Sequence, residues 1–168
     1  MVCDPVFLLS KEEWNDLAEN SKVNIKEDYI FCYFPGGVSK SMDEFSSNLA
    51  KEKNCKRILV SNEWRNILRD GKKMYDCGPL DFIKLINGAK YVCTTSFHGT
   101  AFATILNTPL YVEAGGGKGD SRIYTLLSMT NKKDCIINQK NEINKENAEG
   151  LEQSIQFSKE ILNRIFDN

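Results

Sequence analysis

The amino-acid sequence predicts an α/β fold, with a parallel sheet and helices on both of its faces. Apolar runs of strand length alternate with amphipathic stretches of helical period along the chain. The run at 29–34 is apolar at successive positions, which is typical of a strand buried inside a parallel sheet. No internal repeat stands out. We therefore expect right-handed crossovers between the strands, and a ligand site at the carboxyl edge of the sheet.

Length and composition narrow the class of protein. The 168 residues suggest one domain, and the net charge of −1 predicts no face for a polyanion, so nucleic acid is disfavoured as a partner. Six cysteines without a Cys-x-x-Cys pair and a single histidine favour neither a disulfide framework nor a metal site. We expect a reducing, cytoplasmic compartment. No apolar run approaches the roughly 20 residues of a membrane-spanning helix.

The elements follow from local signals. Ser10 and Glu13 form a capping box that predicts a short leading helix, and Ser41 with Glu44 offers another box before the helix that follows the run at 29–34. Further elements are a strand at 57–60, an ambiguous segment at 62–73 that allows a helix, a helix from 79 to 88, strands at 91–95 and 109–113, a helix from 121, a short strand within 134–138 and a C-terminal amphipathic helix. The predicted single domain, 1–168, comprises a hinge and leading helix at 1–27, a βα core at 28–138 and the C-terminal helix at 145–168.

The strand at 91–95 leads into the most informative segment of the chain. It turns through Ser96, Phe97 and His98 and enters a helix of small residues at Gly99. An imidazole can accept or donate a proton near neutral pH, and Gly99 lets a ligand approach the backbone. Ser96 and Thr100 supply hydroxyl and N–H groups for phosphate or carboxylate oxygens. The other interpretation is that His98 caps the helix or makes a local hydrogen bond, and the pattern alone does not decide.

A second candidate wall follows the strand at 109–113. Glycines at 115–119 precede Ser121 and Arg122, and a hydroxyl at a helix start beside a guanidinium suits a carboxylate or phosphate. The Gly-x-x-x-x-Gly-Lys-Ser/Thr pattern is absent, because Gly119 follows Lys118. A flexible surface loop with a solvated arginine fits the composition equally well.

Two further loops carry weaker signals. Gly36 and Gly37 follow the strand at 29–34 and could present N–H groups to a ligand, although their pattern favours a plain turn. Cys77 could act as a nucleophile only beside a base, and the sequence shows none. We therefore interpret the Cys77 loop as structural.

Three segments together resemble one family. They are similar to segments of the polysaccharide pyruvyl transferases. The three segments are residues 94–109, which contain Ser-Phe-His-Gly-Thr, residues 78–92, and Ser-Arg-Ile-Tyr-Thr-Leu-Leu at 121–127. Asp4-Pro5 with Leu8-Leu9, and the strand at 29–34, fit in register, so the resemblance covers most of the chain. One departure is Thr95, which stands where an aspartate is common before the serine, so no role for that acid is carried over.

The resemblance implies a function. Members have two Rossmann-like halves, as in GT-B glycosyltransferases, and the resemblance places this chain in the C-terminal, donor-binding half. We therefore expect that an N-terminal half is missing here, and that the chain is part of a longer protein or a shortened homologue. The family transfers a pyruvyl group from phosphoenolpyruvate to two sugar hydroxyls as a ketal, without a further cofactor, in cell-surface polysaccharide. A cytoplasmic location, at the inner membrane face through the glycan, is expected. The implied site has His98 as acid/base or phosphate partner and Arg122 on the donor, with the pocket lined by Ser96, Gly99, Thr100, Ser121, Gly36 and Gly37.

Two alternatives predict different ligands. A nucleotide-sugar glycosyltransferase half would hold a nucleotide diphosphate in the same crevice and give Gly36 and Gly37 more importance. A non-catalytic Rossmann-like interaction domain would gain no stability from small anions.

Overall fold

A parallel sheet forms the centre of the chain. The computed structural model describes residues 4–35, 37–60, 70–114, 120–137, 153, 155–160 and 163. In that part of the chain the sheet has five strands in the order β3-β2-β1-β4-β5, and every neighbouring pair is parallel. The strands are β1 (Tyr29–Tyr33), β2 (Lys56–Val60), β3 (Lys72–Met74), β4 (Tyr91–Thr94) and β5 (Leu110–Val112). The predicted α/β class with a parallel sheet is confirmed.

Helices alternate with the strands. They are α1 (Lys11–Ala18), α2 (Lys40–Glu52), α3 (Pro79–Gly88), α4 (Phe97–Ile105) and α5 (Asp120–Met129), with 3-10 turns at Pro5–Phe7 and Lys133–Cys135. The capping box of α1 is confirmed: the Ser10 hydroxyl accepts from the Glu13 N–H at 3.2 Å, and the Glu13 carboxylate accepts from the Ser10 N–H at 2.7 Å. Residues 155–160 are helical, within the predicted C-terminal helix.

Both faces of the sheet carry helices, as predicted. Phe31 of β1 lies in a core cluster with residues of α1, α3, α4 and α5. Its neighbours Ile30 and Cys32 lie in a second cluster with Met42 and Leu49 of α2. Because both faces of β1 are covered, alternating side chains all face apolar surroundings, which explains why the run shows no polar alternation.

Two predicted elements differ in the structure. Residues 72–74, at the end of the ambiguous segment 62–73, form the edge strand β3 beside β2. The sequence allowed a helix only up to Gly71 and predicted no strand here, because Lys-Lys-Met has little strand preference of its own. Residues 61–69 lie outside the described residues. The predicted strand within 134–138 is reduced to one bridge between Ile136 and Val112, because the preceding residues turn as a 3-10 helix.

The start of α2 also differs from the prediction. Ser39, not Ser41, is the N-cap, and its hydroxyl accepts from the Met42 N–H at 3.0 Å. Glu44, which was to complete a box with Ser41, instead lies 3.7 Å from Lys40 as an exposed ion pair. Ser41 therefore sits in the first turn, where its hydroxyl is available to a partner on another element.

A buried arginine anchors the amino-terminal side of the sheet. The Arg57 side chain is 2% exposed and pairs with Asp43 at 2.9 Å and with Asp70 at 2.6 Å. It also donates to the Ser46 hydroxyl at 3.0 Å and to the Asp70 carbonyl at 2.9 Å. A buried cation needs such complete hydrogen bonding to be tolerated. Arg57 thus joins α2 to the segment that leads into β3.

Candidate functional site

The strand order places a crevice between β1 and β4. From β1 the chain moves outward to β2 and β3, and it then crosses to β4 on the other side of β1. The loops that leave β1 and β4 therefore diverge, and open α/β sheets bind ligands at such switch points. Tyr33 and Thr94, the last residues of these strands, are direct partners in the sheet. Residues 95–100 follow β4 on one side of the crevice, and Gly37 follows β1 on the other side. Gly36 lies outside the described residues.

Hydroxyl groups build the turn from β4 into α4. The Thr94 hydroxyl donates to the Tyr33 carbonyl at 2.6 Å and accepts from the Ser96 N–H at 3.0 Å. Ser96 is extended, with φ −100° and ψ 137°, and its hydroxyl accepts from the Gly99 N–H at 3.3 Å. Ser96 is therefore the N-cap, and α4 begins at Phe97, before the Gly99 start expected from the sequence. His98 does not cap the helix.

His98 faces outward from the first turn of α4. Its side chain is 56% exposed, and its Nε2 lies 3.9 Å from an Asp4 carboxylate oxygen. Asp4 is held in place because its carboxylate also accepts from the Val6 N–H at 3.2 Å. The segment that precedes α1 thus brings a negative charge beside the imidazole, and an imidazolium at position 98 would be paired with it.

Phe97 brings the two predicted walls together. The guanidinium carbon of Arg122, in the first turn of α5, lies 4.8 Å from the centre of the Phe97 ring, which is a cation–π distance. The His98 ring meets the same phenyl group nearly edge-on, with centroids 5.5 Å apart. Phe97 itself is partly buried against residues of α4 and α5. One aromatic ring therefore contacts both the imidazole and the guanidinium.

Gly99 is needed for packing between α4 and β4. A Cβ atom at this position would lie 2.5 Å from the Thr94 hydroxyl oxygen and 3.1 Å from the Thr94 Cβ. Thr94 is fully buried, and its hydroxyl holds both Tyr33 and Ser96, so it has no room to move. The sequence argument expected ligand approach at Gly99; the structure shows close helix–strand approach, and the ligand role stays a prediction.

The other predicted lining residues have the following contacts. Thr100 is buried, and its hydroxyl donates to the Ser96 carbonyl at 2.8 Å inside α4. Ser121 is exposed in the first turn of α5, and its carbonyl accepts from the Thr125 hydroxyl at 2.8 Å. Gly37 has a φ of 102°, and its N–H donates to the Phe34 carbonyl at 3.1 Å, so it closes a turn. Ligand contacts at these positions stay predictions.

The Cys77 thiol is poorly suited to nucleophilic attack. Burial, together with the charges of Asp81 and Asp76, raises the pKa of the Cys77 thiol to about 11. The thiol therefore stays protonated at neutral pH, in agreement with the structural interpretation of this loop. Burial also raises the pKa of the Cys32 and Cys93 thiols in the sheet.

Two further classes of feature concern metals and membranes. Over the described ranges, no three His, Cys, Asp or Glu side chains cluster as ligands for a metal ion. In that same part of the chain, no helix combines the length and the apolar character that crossing a bilayer requires.

Sequence reasoning missed three residues at this edge of the sheet: Asp4, Phe97 as a contact residue, and Glu113. Phe97 was visible inside the Ser-Phe-His-Gly stretch, and Asp4 was visible in Asp4-Pro5. Glu113 was visible as a lone charge at the end of an apolar strand. In sequence, Asp4 lies 94 positions from His98, Phe97 lies 25 positions from Arg122, and Glu113 lies 74 positions from Ser39. No local pattern could therefore pair them.

Comparison with known proteins shows a likeness to a solved structure and a match to a protein family. UDP-GlcNAc 2-epimerase of Methanocaldococcus jannaschii, solved in complex with UDP-GlcNAc and UDP, is similar over 88% of this chain at 14% identity and a TM-score of 0.47. The match covers 52% of that protein, so this chain spans about half of its length. No curated protein sequence matches the chain. The profile of the polysaccharide pyruvyl transferases matches residues 1–114, which contain β1 to β5 and the Ser96–Thr100 segment. Because the match covers more than half of the 168 residues, the chain belongs to the polysaccharide pyruvyl transferase family.

Proposed function

We propose that this chain is the donor-binding and catalytic half of a polysaccharide pyruvyl transferase with a GT-B-like pair of domains. The reaction would transfer the pyruvyl group of phosphoenolpyruvate to two hydroxyls of a glycan acceptor, giving a ketal and inorganic phosphate. Family membership supports the transferase class. The observation that carries the site is the contact of one ring, Phe97, with both His98 and Arg122 beside the switch-point crevice.

Arg122 is proposed to hold the donor. Phosphoenolpyruvate carries a carboxylate and a phosphate, and a guanidinium can donate two parallel hydrogen bonds to either group. The cation–π contact with Phe97 restricts where the guanidinium lies, which reduces the entropy lost when the donor binds. Ser121 in the same helical turn, together with Ser96, Gly99, Thr100 and Gly37, completes the proposed lining. Gly36 is proposed to belong to it as well, although it lies outside the described residues.

His98 is proposed to act as the acid, or as a partner of the phosphate. As an acid it would give its proton to the methylene carbon of the enol, whose double-bond electrons form the new C–H bond. The neighbouring carbon becomes electron-deficient, a sugar hydroxyl adds to it, and that hydroxyl's proton is released. The bond from this carbon to the phosphate oxygen then breaks, and phosphate leaves with the electron pair. A second hydroxyl adds to the carbon and loses its proton, which closes the ketal. Asp4 would pair with the imidazolium before transfer.

The proposal needs no further cofactor and no metal. The acceptor glycan would be held by an N-terminal Rossmann-like half, so activity belongs to the whole protein. A cytoplasmic enzyme that meets its glycan at the inner membrane face fits this chemistry, because phosphoenolpyruvate is a metabolite of the cytoplasm.

The central test replaces His98. In the full-length protein, His98→Ala should lower ketal formation from phosphoenolpyruvate at least about a hundredfold, because general acid catalysis typically contributes that much. Lys40→Gln, at an exposed position on α2, is the matched control and should keep full activity. Phosphate release and the mass of the product report the reaction. Undiminished ketal formation by His98→Ala would contradict the catalytic role.

The role of Arg122 is tested through Phe97. Phe97→Leu removes the ring and should raise the KM for phosphoenolpyruvate several-fold, whereas Phe97→Tyr keeps the ring and should stay close to wild type. In an Arg122→Ala background, Phe97→Leu should add little, since it acts through the guanidinium. Fully additive effects would show that Phe97 acts by another route.

Ligand binding separates the proposal from its rivals. We expect phosphoenolpyruvate to raise the melting temperature of the protein and nucleotide sugars to leave it unchanged. Stabilisation by nucleotide sugars alone would favour a glycosyltransferase half. Absence of stabilisation by any small anion would favour a non-catalytic interaction domain.

A further inference from the structure

Hydrogen bonds join the carboxyl ends of three strands into a closed ring. The Thr94 hydroxyl at the end of β4 donates to the Tyr33 carbonyl at the end of β1, at 2.6 Å. The Glu113 N–H, just beyond β5, donates to the Thr94 carbonyl at 3.0 Å. The Glu113 carboxylate accepts from the hydroxyls of Ser39 at 2.6 Å and Ser41 at 2.9 Å. The chain from 34 to 39 then closes the ring back to β1.

Glu113 supplies the charged link in this ring. The residue is 7% exposed, and both serine hydroxyls donate to the same carboxylate oxygen. Ser39 serves two partners, since its oxygen also accepts from the Met42 N–H in the first turn of α2. A buried carboxylate at the amino end of a helix is stabilised by the helix dipole, and charge-assisted hydrogen bonds are stronger than neutral ones.

The ring surrounds the switch point. The turn at Gly37 and the start of α2 form one side of the crevice, and the Ser96–His98 turn forms the other. Thr94 fixes the second side, because its hydroxyl accepts from the Ser96 N–H at 3.0 Å. Glu113 fixes the first side by holding the start of α2 to the end of β5.

We propose that Glu113 is a positioning residue for the crevice: its carboxylate sets the distance between the start of α2 and the Ser96–His98 turn. The link to donor binding rests on the proposed function. Loss of the carboxylate frees the start of α2, so the crevice wall loosens and the donor binds more weakly. The acid/base group stays in place on α4, so the rate from the bound state changes less than the affinity.

Amide hydrogen exchange on the full-length protein tests the positioning itself. Glu113→Ala should speed exchange of the peptide that contains Met42 about tenfold, because a hydrogen bond to a charged group is lost. Glu113→Gln should speed exchange less than Glu113→Ala, since its amide oxygen can still accept from both serines but carries no charge. Glu44→Gln, exposed on the same helix, is the control and should change nothing. Unchanged exchange in Glu113→Ala would overturn the proposal.

Ser41→Ala covers the case in which Glu113→Ala does not fold. It removes one donor while Ser39 keeps the helix cap, so a smaller acceleration at the same peptide is expected. If Ser41→Ala exchanges at the wild-type rate, and Glu113→Ala does so as well or does not fold, the ring does not position this wall.

Steady-state kinetics then connects the ring to the donor. Glu113→Ala should raise the KM for phosphoenolpyruvate about tenfold and change kcat less than about threefold, with Glu113→Gln restoring most of the KM. A loss of kcat at unchanged KM would overturn the positioning role. If the wild-type protein does not use phosphoenolpyruvate, the proposed function fails, and the exchange experiment still decides whether Glu113 holds the wall.

Discussion

Replacing Gly99 with alanine sets two physical effects against each other. In a helix, alanine is favoured over glycine by about 1 kcal/mol, so propensity alone predicts a more stable protein. The new Cβ, however, would lie 2.5 Å from the Thr94 hydroxyl oxygen and 3.2 Å from the Thr94 methyl group. Thr94 is fully buried, so either α4 moves away from β4 or the threonine leaves its position.

The clash should outweigh the propensity. Overpacking in a core typically costs about 1–3 kcal/mol, and loss of the Thr94 hydroxyl bonds to Tyr33 and from Ser96 adds about 1 kcal/mol or more. After subtraction of the gain of about 1 kcal/mol from propensity, we expect a net loss of about 2 kcal/mol. With a urea m-value of about 2 kcal/mol/M, the unfolding midpoint should fall by about 1 M.

Urea unfolding followed by circular dichroism measures this loss. Gly78→Ala is the control, because a Cβ there meets only the Asp81 carboxylate at 3.6 Å, and its stability should stay within about 1 kcal/mol of wild type. Thr94→Ala removes the hydroxyl oxygen, the one atom closer than 3.0 Å to the new Cβ, and the methyl group at 3.2 Å. The double variant with Gly99→Ala should therefore be more stable than the sum of the two single losses predicts. A Gly99→Ala protein as stable as wild type, or additive single effects, would refute the packing argument.

Three other predictions concern the buried Arg57, the cap of α4 and the Cys77 thiol. Arg57→Met should lower the free energy of unfolding by about 1–3 kcal/mol, because the buried Ser46 hydroxyl and the partly exposed Asp43 and Asp70 carboxylates lose their hydrogen-bond donor. Lys56→Met at an exposed position should cost less than about 1 kcal/mol in the same urea titration. Ser96→Ala removes the helix cap and should lower the free energy of unfolding by about 1 kcal/mol, whereas His98→Ala should leave it unchanged. Thermal unfolding measures both, and a larger loss for His98→Ala would support the capping interpretation of His98. Cys77 should react slowly with iodoacetamide at pH 8 and faster as the pH rises toward 11. A thiol pKa raised from 9.0 to about 11 lowers the thiolate fraction at pH 8 about a hundredfold, and the higher nucleophilicity of that thiolate offsets part of the loss. Labelling at the rate of a free thiol would contradict the raised pKa.

Local sequence patterns identified most elements of the fold. The apolar run of β1 and the capping box at Ser10 were readable because their causes are local: burial of both strand faces, and hydrogen bonds between residues three positions apart. The edge strand β3 was not readable, because Lys-Lys-Met has no apolar pattern and forms a strand only through pairing with β2. The sequence predicted Ser41 as the cap of α2, whereas Ser39 is the cap, and both serine hydroxyls donate to the carboxylate of Glu113, just beyond β5.

The candidate site divides in the same way. The sequence by itself determined the parallel α/β class, the strand-to-helix turn at Ser96–Gly99 and the chemistry available at His98 and Arg122, since residue types and short spacings carry that information. Only the tertiary structure decided that Gly99 is required by Thr94, that Phe97 contacts both His98 and Arg122, and that Glu113 closes a ring across three strand ends. The physical reason is sequence separation: packing and hydrogen bonds between distant segments depend on the strand order, and the strand order exists only in the folded chain.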